Sequence, residues 1–315
     1  MGVEVSIFLS TKDRSASLRR TLASIDACDR FGIDLDVVCV DNGSTDDTPQ
    51  VIADFSERLN ITALYQREAG LSEALNLGLA HIAVKHQKNR LVIRTDDDVV
   101  VSEQWLQTYA NAARNDTDRK QFFGGRVNPQ FSQATKLAQH IVERWPELSA
   151  PLFAKYDWPD GRIGALPFGL NMGFHLDHGR GVQFKKHLSF PYSMGEETDY
   201  LLYLREQGLE ASYLHDASLV HCIRPEQVKL AWMQKRMHSY GISDAQITYL
   251  HRKNKCPQKL KSLRVKIRNY HLRRRLKPKS PLESQARELR YIWHTAKFEE
   301  LSRLLGEVSS IEPLS

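Results

Sequence analysis

Three consecutive carboxylates, Asp96-Asp97-Asp98, follow the apolar run RLVIRT. Adjacent acids repel one another, and many other residues could close a turn, so this cluster points to a bound cation. Hard oxygen donors suit Mg²⁺ or Mn²⁺, which usually take one or two carboxylates together with substrate phosphates. The competing account is a polar turn before the helix starting at Trp105. Two further polar clusters have the same setting. Ser10-Thr11-Lys12-Asp13-Arg14 follows VEVSIFLS, and Asp41-Asn42-Gly43-Ser44 follows DLDVVCV. A second acidic group, Glu196, Glu197 and Asp199, opens the stretch GEETDYLLYLREQG. Acids at a helix start complement the macrodipole; one of them can also serve as a general base. His221 follows ASLV, and a single histidine after a strand reads first as structural.

These clusters need elements to position them. Residues 3–10 read as a β-strand. Residues 15–28 carry Leu18, Leu22 and Ile25 at helical spacing, with Ser15 as the expected N-cap. DLDVVCV reads as a buried strand ending at a turn. Thr48 is the expected cap of a helix with Pro49 at its first position. ITALYQ and RLVIRT read as strands, and 71–86 as an amphipathic helix. This alternation predicts an α/β fold: a mostly parallel, Rossmann-like sheet with helices on both faces. In such sheets ligands bind outside the carboxyl ends of the strands, where all three polar clusters fall. Residues 121–128 and 161–175 read as loops with short strands. A helix closes at Gly208. Residues 226–250, 258–276 and 283–305 read as helices, with Pro278 and Pro281 between the last two.

The 315 residues are 41% apolar and 26% charged, an ordinary globular mix. No run approaches the ~20 apolar residues of a membrane span. The opening MGVEVSIFLSTKDR reads as a first strand rather than a signal peptide. Cys28, Cys39, Cys222 and Cys256 lack metal-ligand spacing and fit reduced thiols in a cytoplasmic protein. The net charge is +6, unevenly spread. Residues 251–280 hold 13 Lys/Arg and no acid, leaving 31 Lys/Arg against 38 Asp/Glu elsewhere, a balance of −7. Such a segment favours an anionic partner or forms a solvated helix face.

Taken in order, the motifs resemble family 2 glycosyltransferases, the inverting group with the GT-A fold. SIFLSTKDRSASLRRTLASI, VVCVDNGSTDDT, REAGLSEALNLGL and IRTDDDVVVSEQWL are similar to its successive landmarks. GGRVNP, PFGLNMGF, GEETDYLLYLREQG and SLVHC follow in the family's order. The resemblance covers about residues 3–225. It implies a GT-A domain over 1–225 and leaves 226–315 as a basic, mainly helical extension. It also implies that Thr11, Asp13 and Arg14 border a nucleotide pocket, that Asp41 contacts a uracil or thymine, and that Gly70, Leu71 and Asn76 border the nucleotide-sugar. Asp96 and Asp97 would line the ribose or metal shell, and Asp98 would be the principal ligand of Mn²⁺ or Mg²⁺, with Asp96 and His221 nearby. Glu197 stands at the catalytic-base position, with Asp199 and Glu196 as alternatives. Leu75 replaces a usual arginine, Asp13 a usual asparagine, and the ED pair reads Glu196-Glu197.

The implied reaction moves a sugar from a UDP- or dTDP-linked donor to a hydroxyl of a glycan or polyprenyl-diphosphate-linked acceptor. Trp158, Phe168 and Tyr192 are expected walls of the acceptor groove. Leu260, Leu263, Ile267 and Tyr270 suit a helix lying on an anionic membrane surface at the cytoplasmic face. The C-terminal helices offer a surface for a homodimer. Three rivals stand beside this reading. A nucleotidyltransferase is weakened because STKDRSASL has no glycine. A degenerate binding module is weakened by the retained acids. A nucleic-acid-binding role for 251–280 lacks a recognition motif.

Overall fold

The computed structural model describes residues 2–67, 70–86, 90–162, 164, 166–185, 194–274 and 280–307. Along the chain run β1 (Val3–Thr11), α1 (Ser15–Asp26), β2 (Ile33–Asp41), α2 (Thr48–Leu59), β3 (Ile61–Tyr65), α3 (Leu71–Lys85), β4 (Leu91–Thr95) and β5 (Val99–Val101). Then come α4 (Trp105–Asn115), β6 (Gln121–Phe131), α5 (Lys136–Arg144), α6 (Pro146–Phe153), β7 (Gly161–Arg162), β8 (Asn171–His175), α7 (Leu176–Gly179) and α8 (Glu196–Glu206). Last are β9 (Glu210–Ile223), α9 (Leu230–Arg252), α10 (Cys256–Arg274) and α11 (Pro281–Leu305). The chain divides into two units. One takes its residues from 1–130, 156–185 and 197–222, the other from 131–155, 186–196 and 223–315.

The first unit carries the sheet, in the order β3-β2-β1-β4-β8-β6-β9-β5, with β7 beside β9. The pairs β1–β2, β1–β4 and β2–β3 are parallel, whereas β8 joins β4 and β6 antiparallel. Val5, Ile7, Phe8 and Leu9 of β1 and Val37, Val38, Cys39 and Val40 of β2 are fully buried, because helices cover both faces. The main core packs Phe8, Val38 and Val40 against Ala74, Leu75, Leu79 and Ile82 of α3, with Phe174 and, from α8, Tyr200, Leu201 and Leu204.

Two expected caps shift by one residue. Arg14 and Asp47 hold the N-cap positions of α1 and α2, and neither makes a side-chain cap bond. Asp46 substitutes for both: its carboxylate accepts from the Ser15 backbone N–H at 3.0 Å and from the Thr48 N–H at 3.0 Å. The Thr48 hydroxyl, which donates to the same carboxylate at 2.5 Å, and then these backbone bonds hold the Asp46 carboxyl down to about 2. Residues 121–128, read as loop with short strands, lie within the 11-residue strand β6. Its glycines mark close packing, since a Cβ on Gly125 would stand 2.0 Å from the Ala217 carbonyl oxygen. Residues 161–175 do hold two short strands.

The second unit is helical among the described residues. Leu137, Ile141, Leu148 and Phe153 of α5 and α6 pack with Met233 and Met237 of α9 and Leu289 of α11. Gly241 lets α9 and α11 approach, because a Cβ there would lie 2.6 Å from the Trp293 carbonyl oxygen. Ser280 caps α11 by accepting from Glu283 N–H at 3.1 Å, with Pro281 at the first turn and Gly306 left-handed at the close. The expected lipid-facing stripe is used differently. Leu260, Leu263 and Ile267 are at most 2% exposed and pack on Phe298 and Leu301, while Tyr270 stacks on Tyr291 at 4.3 Å. Each buried aliphatic side chain is worth about 1.5–3 kcal/mol relative to exposure. That stabilisation belongs to the fold, so the stripe is not a membrane-insertion face. All four cysteines are free. No helix among the described residues is long and apolar enough to cross a membrane.

Candidate active site

Parallel pairing brings three strand ends to one edge of the first unit. Thr11 at the end of β1 pairs with Asp41 at the end of β2, and β4 ends beside them at Thr95. The loops that follow are tied to one another. Asn42 N–H donates to the Thr11 carbonyl at 2.8 Å, and Ser44 N–H donates to Asp41 Oδ1 at 2.8 Å. Asp13, in a left-handed conformation with φ 50°, accepts from Thr45 N–H at 2.7 Å. Its carboxylate therefore braces the 42–48 loop. Gly70 N–H donates to Asn42 Oδ1 at 3.1 Å, which brings the start of α3, with Leu71 as its first residue, to the same edge. Asn76 is committed elsewhere: its amide donates to the Phe184 carbonyl and accepts from the Phe184 N–H, at 2.9 and 2.8 Å.

The three adjacent acids diverge. Asp97 is buried and accepts from Arg14 Nη1 at 2.7 Å. Burial pushes its carboxyl upward, Arg14 opposes this and the Asp98 charge adds to it. Asp98 Oδ2 lies 3.3 Å from Arg14 Nη1, and its Oδ1 lies 3.6 Å from His221 Nε2. The antiparallel β5–β9 register explains that last contact: Val99 faces His221, and Cys222 N–H donates to the Asp98 carbonyl at 2.8 Å. Asp96, one-third exposed, sits instead on the buried Arg94, with Nη2 to Oδ1 at 2.7 Å.

The same Arg94 Nη2 lies 3.0 Å from Glu197 Oε1 on the first turn of α8. Glu196 and Asp199 are buried, at 1% and 4% exposure, whereas the Glu197 side chain is 19% exposed. Glu197 rests against Gly169, where a Cβ would stand 2.4 Å from its Cγ. Beside it, Phe168 packs edge-on against Tyr156 at 5.7 Å, and Tyr156 in turn meets the half-exposed Trp158 at 6.5 Å. Tyr192, the third expected groove wall, lies outside the described residues.

The edge thus joins Thr11, Arg14, Asp41, Gly70, Leu71, Asp97, Asp98 and His221 through shared strand ends and loops. Arg94 links Asp96 to Glu197. Asp98 and His221 offer a carboxylate and an imidazole 3.6 Å apart, a donor pair that fits a divalent cation sharing phosphate oxygens. Among the described residues no group of three or more His, Cys, Asp or Glu side chains is arranged to hold a metal. Sequence reasoning missed Arg94 and Gly169. A charged side chain inside a buried strand costs much unless paired, so the arginine in RLVIRT was the available signal.

Comparisons with known proteins agree with this architecture. The mannosyltransferase PcManGT from Pyrobaculum calidifontis, solved with GDP-Man and Mn²⁺, is similar over 100% of this chain and 77% of its own, at 16% identity and a TM-score of 0.56. S. aureus TarS 1-349 with UDP-GlcNAc is similar over 98% of this chain and 93% of its own, at 15% identity and a TM-score of 0.53. Its complex with UDP gives 14% identity and 0.52, over 99% of this chain and 95% of its own. No curated protein sequence matches the chain. The fold is the mixed α/β GT-A fold with a C-terminal helical region. The profile of glycosyl transferase family 2 matches residues 6–161, and the chain belongs to that family.

Proposed function

We propose that this chain transfers a sugar from a nucleoside diphosphate sugar to a hydroxyl of a glycan or lipid-linked acceptor, with inversion at the anomeric carbon. The observation that carries this reading is the pairing of two carboxylate groups across one site. Asp97 and Asp98 gather at the strand ends with Arg14, while Glu197 stands with Asp96 on a shared guanidinium. Solved proteins of the same fold bind GDP-Man and UDP-GlcNAc, which supports a nucleotide-sugar donor here. UDP or dTDP is the proposed carrier, with Asp41 toward the base and Thr11, Gly70 and Leu71 along the nucleotide.

In the proposed step the acceptor hydroxyl loses its proton to Glu197 as its oxygen bonds to the anomeric carbon. The bond from that carbon to the diphosphate oxygen breaks, and the nucleoside diphosphate leaves with the electron pair. General-base help of this kind contributes about 10²–10⁴-fold. Glu197 is preferred over Glu196 and Asp199 because those two are buried, whereas its side chain is partly exposed. A divalent cation held by Asp98, with His221 and Asp96 nearby, would supply positive charge to the leaving diphosphate. Arg14, already against Asp97 and Asp98, adds fixed positive charge at the same edge. The exposed Lys259, Lys261, Arg264, Lys266 and Arg268 of α10 form a basic face suited to an anionic membrane or phosphorylated carrier.

Thermal unfolding of the purified protein against UDP, dTDP, GDP and their sugars, with and without Mn²⁺, tests this reading. A ligand specific for the folded state raises the midpoint by mass action. The expected result is a Mn²⁺-dependent rise with one nucleotide family, lost in Asp98→Ala. In Glu197→Gln, nucleotide binding should persist while turnover falls by about 10²–10⁴-fold. No shift with any nucleotide in the presence of Mn²⁺ would overturn the donor site.

A further inference from the structure

Arg94 is an expensive residue for its place. It sits in β4, whose every residue is buried, and its side chain is 3% exposed. Apolar residues suit a strand covered on both faces, and replacing a whole buried ion pair by packed apolar residues is often neutral or stabilising, so the fold does not call for a charge here. What the arginine adds is a connection. One nitrogen, Nη2, reaches Asp96 Oδ1 at 2.7 Å and Glu197 Oε1 at 3.0 Å. Asp96 lies two residues further along the chain, so strand alternation aims it to the same side as Arg94. Asp97 points the other way, to Arg14.

A second contact fixes Glu197 from another direction. Gly169 leaves the space that its carboxylate arm fills, since a Cβ there would stand 2.4 Å from Glu197 Cγ and 2.7 Å from Oε1. The segment after Gly169 is itself tied to β4, because Thr95 Oγ1 donates to the Leu170 carbonyl at 2.8 Å. Asn171 then pairs with Thr95 and accepts at Oδ1 from Trp105 Nε1 and from the Tyr109 hydroxyl at 2.9 and 3.0 Å. The cation and the wall that seat Glu197 therefore belong to the same strand framework.

We propose that Arg94 is a positioning residue of the transfer site: it holds the Glu197 carboxylate at a set distance from the Asp96 side. It touches neither substrate and acts through these two acids. The inference rests on the reading of Glu197 as the base. Misplacing a reacting group by about 1 Å can cost about 10²-fold in rate. A guanidinium is also a planar fork that an ammonium does not reproduce.

The test measures nucleoside diphosphate release from UDP- and GDP-sugars, with a mixed sugar acceptor panel, for wild type, Glu197→Gln, Arg94→Met, Arg94→Lys and the Arg94→Met/Glu197→Gln pair. Arg94→Met should lower kcat per folded molecule by about 10²-fold, with a much smaller change in donor KM, alongside a drop in thermal midpoint from leaving the two acids without their partner. Arg94→Lys, the safeguard if Arg94→Met misfolds, should keep the midpoint and recover only part of kcat. In the Glu197→Gln background Arg94→Met should cost little more, because the group it positions is gone. Equal losses in both backgrounds, or an unchanged kcat in a folded Arg94→Met, would overturn the inference. If Glu197→Gln turns over normally, the base assignment fails instead. Hydrogen exchange decides the case if wild type releases no nucleotide: faster exchange confined to residues 194–201 in Arg94→Met supports positioning, and unchanged exchange removes it.

Discussion

At the scale of single residues, Glu197 is defined by its seat rather than by its own chemistry. Gly169→Ala tests that seat without touching any charge. The new methyl needs space now taken by Glu197 Cγ and Cδ, and a flexible, partly exposed side chain yields before the backbone does. The expected outcome is a fall in kcat of about 10–10²-fold, with the thermal midpoint close to wild type. A large drop in midpoint with unchanged kcat per folded molecule would show that the site does not depend on this contact. The acids themselves were legible because carboxylates at strand ends are anomalies that demand an explanation. Arg94 and Gly169 were not. An arginine in the apolar run RLVIRT signals that a partner is needed, but neither residue type nor spacing names Glu197 as that partner or marks Gly169 as its wall. Asn76 shows the converse. The family resemblance implies that it borders the nucleotide-sugar, yet both ends of its amide are bonded to the backbone of Phe184.

At the scale of elements, helix α11 carries an ionisable group under strain from its surroundings. Burial, followed by Lys266, Arg290, Lys259 and Lys297, brings His294 down to about 4. Its folded value is below the ordinary histidine value, so the unfolded chain takes up a proton that the folded chain refuses. Stability should be unaffected above about pH 6.5 and fall as pH drops from there toward 4. Urea unfolding between pH 7.5 and 4.5 should show this slope, and His294→Gln should flatten it. An identical slope in the variant would assign the acid sensitivity elsewhere. The strands β1, β2 and β4 were readable because burial on both faces demands continuous apolar runs. Strand β6 was not, because Gly124 and Gly125 look like turn residues. They are small because Pro167 and the Ala217 carbonyl press against them. Helix α10 was readable as amphipathic, but periodicity alone does not say whether protein or lipid covers the apolar side. Phe298 and Leu301 cover it.

At the scale of the whole molecule, charge and chain order matter more than any one contact. The basic face of α10 now rests on electrostatics alone, at about 1 kcal/mol per Lys or Arg near an anionic surface. Binding to vesicles containing 30% phosphatidylserine should therefore be measurable by sedimentation at low salt and lost near 0.5 M NaCl; no pelleting at low salt would remove the membrane role. The first five strands and first four helices, residues 3–115, were largely readable because their landmarks follow one another in a fixed order. The helical unit was harder, because it draws on separate stretches of chain, α5 and α6 among them. That arrangement has a consequence during synthesis. Leu137 and Ile141 share a core with Leu289, so the first contributors leave the ribosome some 150 residues before the last. At about 5–20 residues per second, that is a wait of roughly 8–30 s with apolar helix faces uncovered. A nascent chain stalled anywhere before α11 should therefore be a preferred chaperone client, and release of the chaperone should coincide with emergence of that helix.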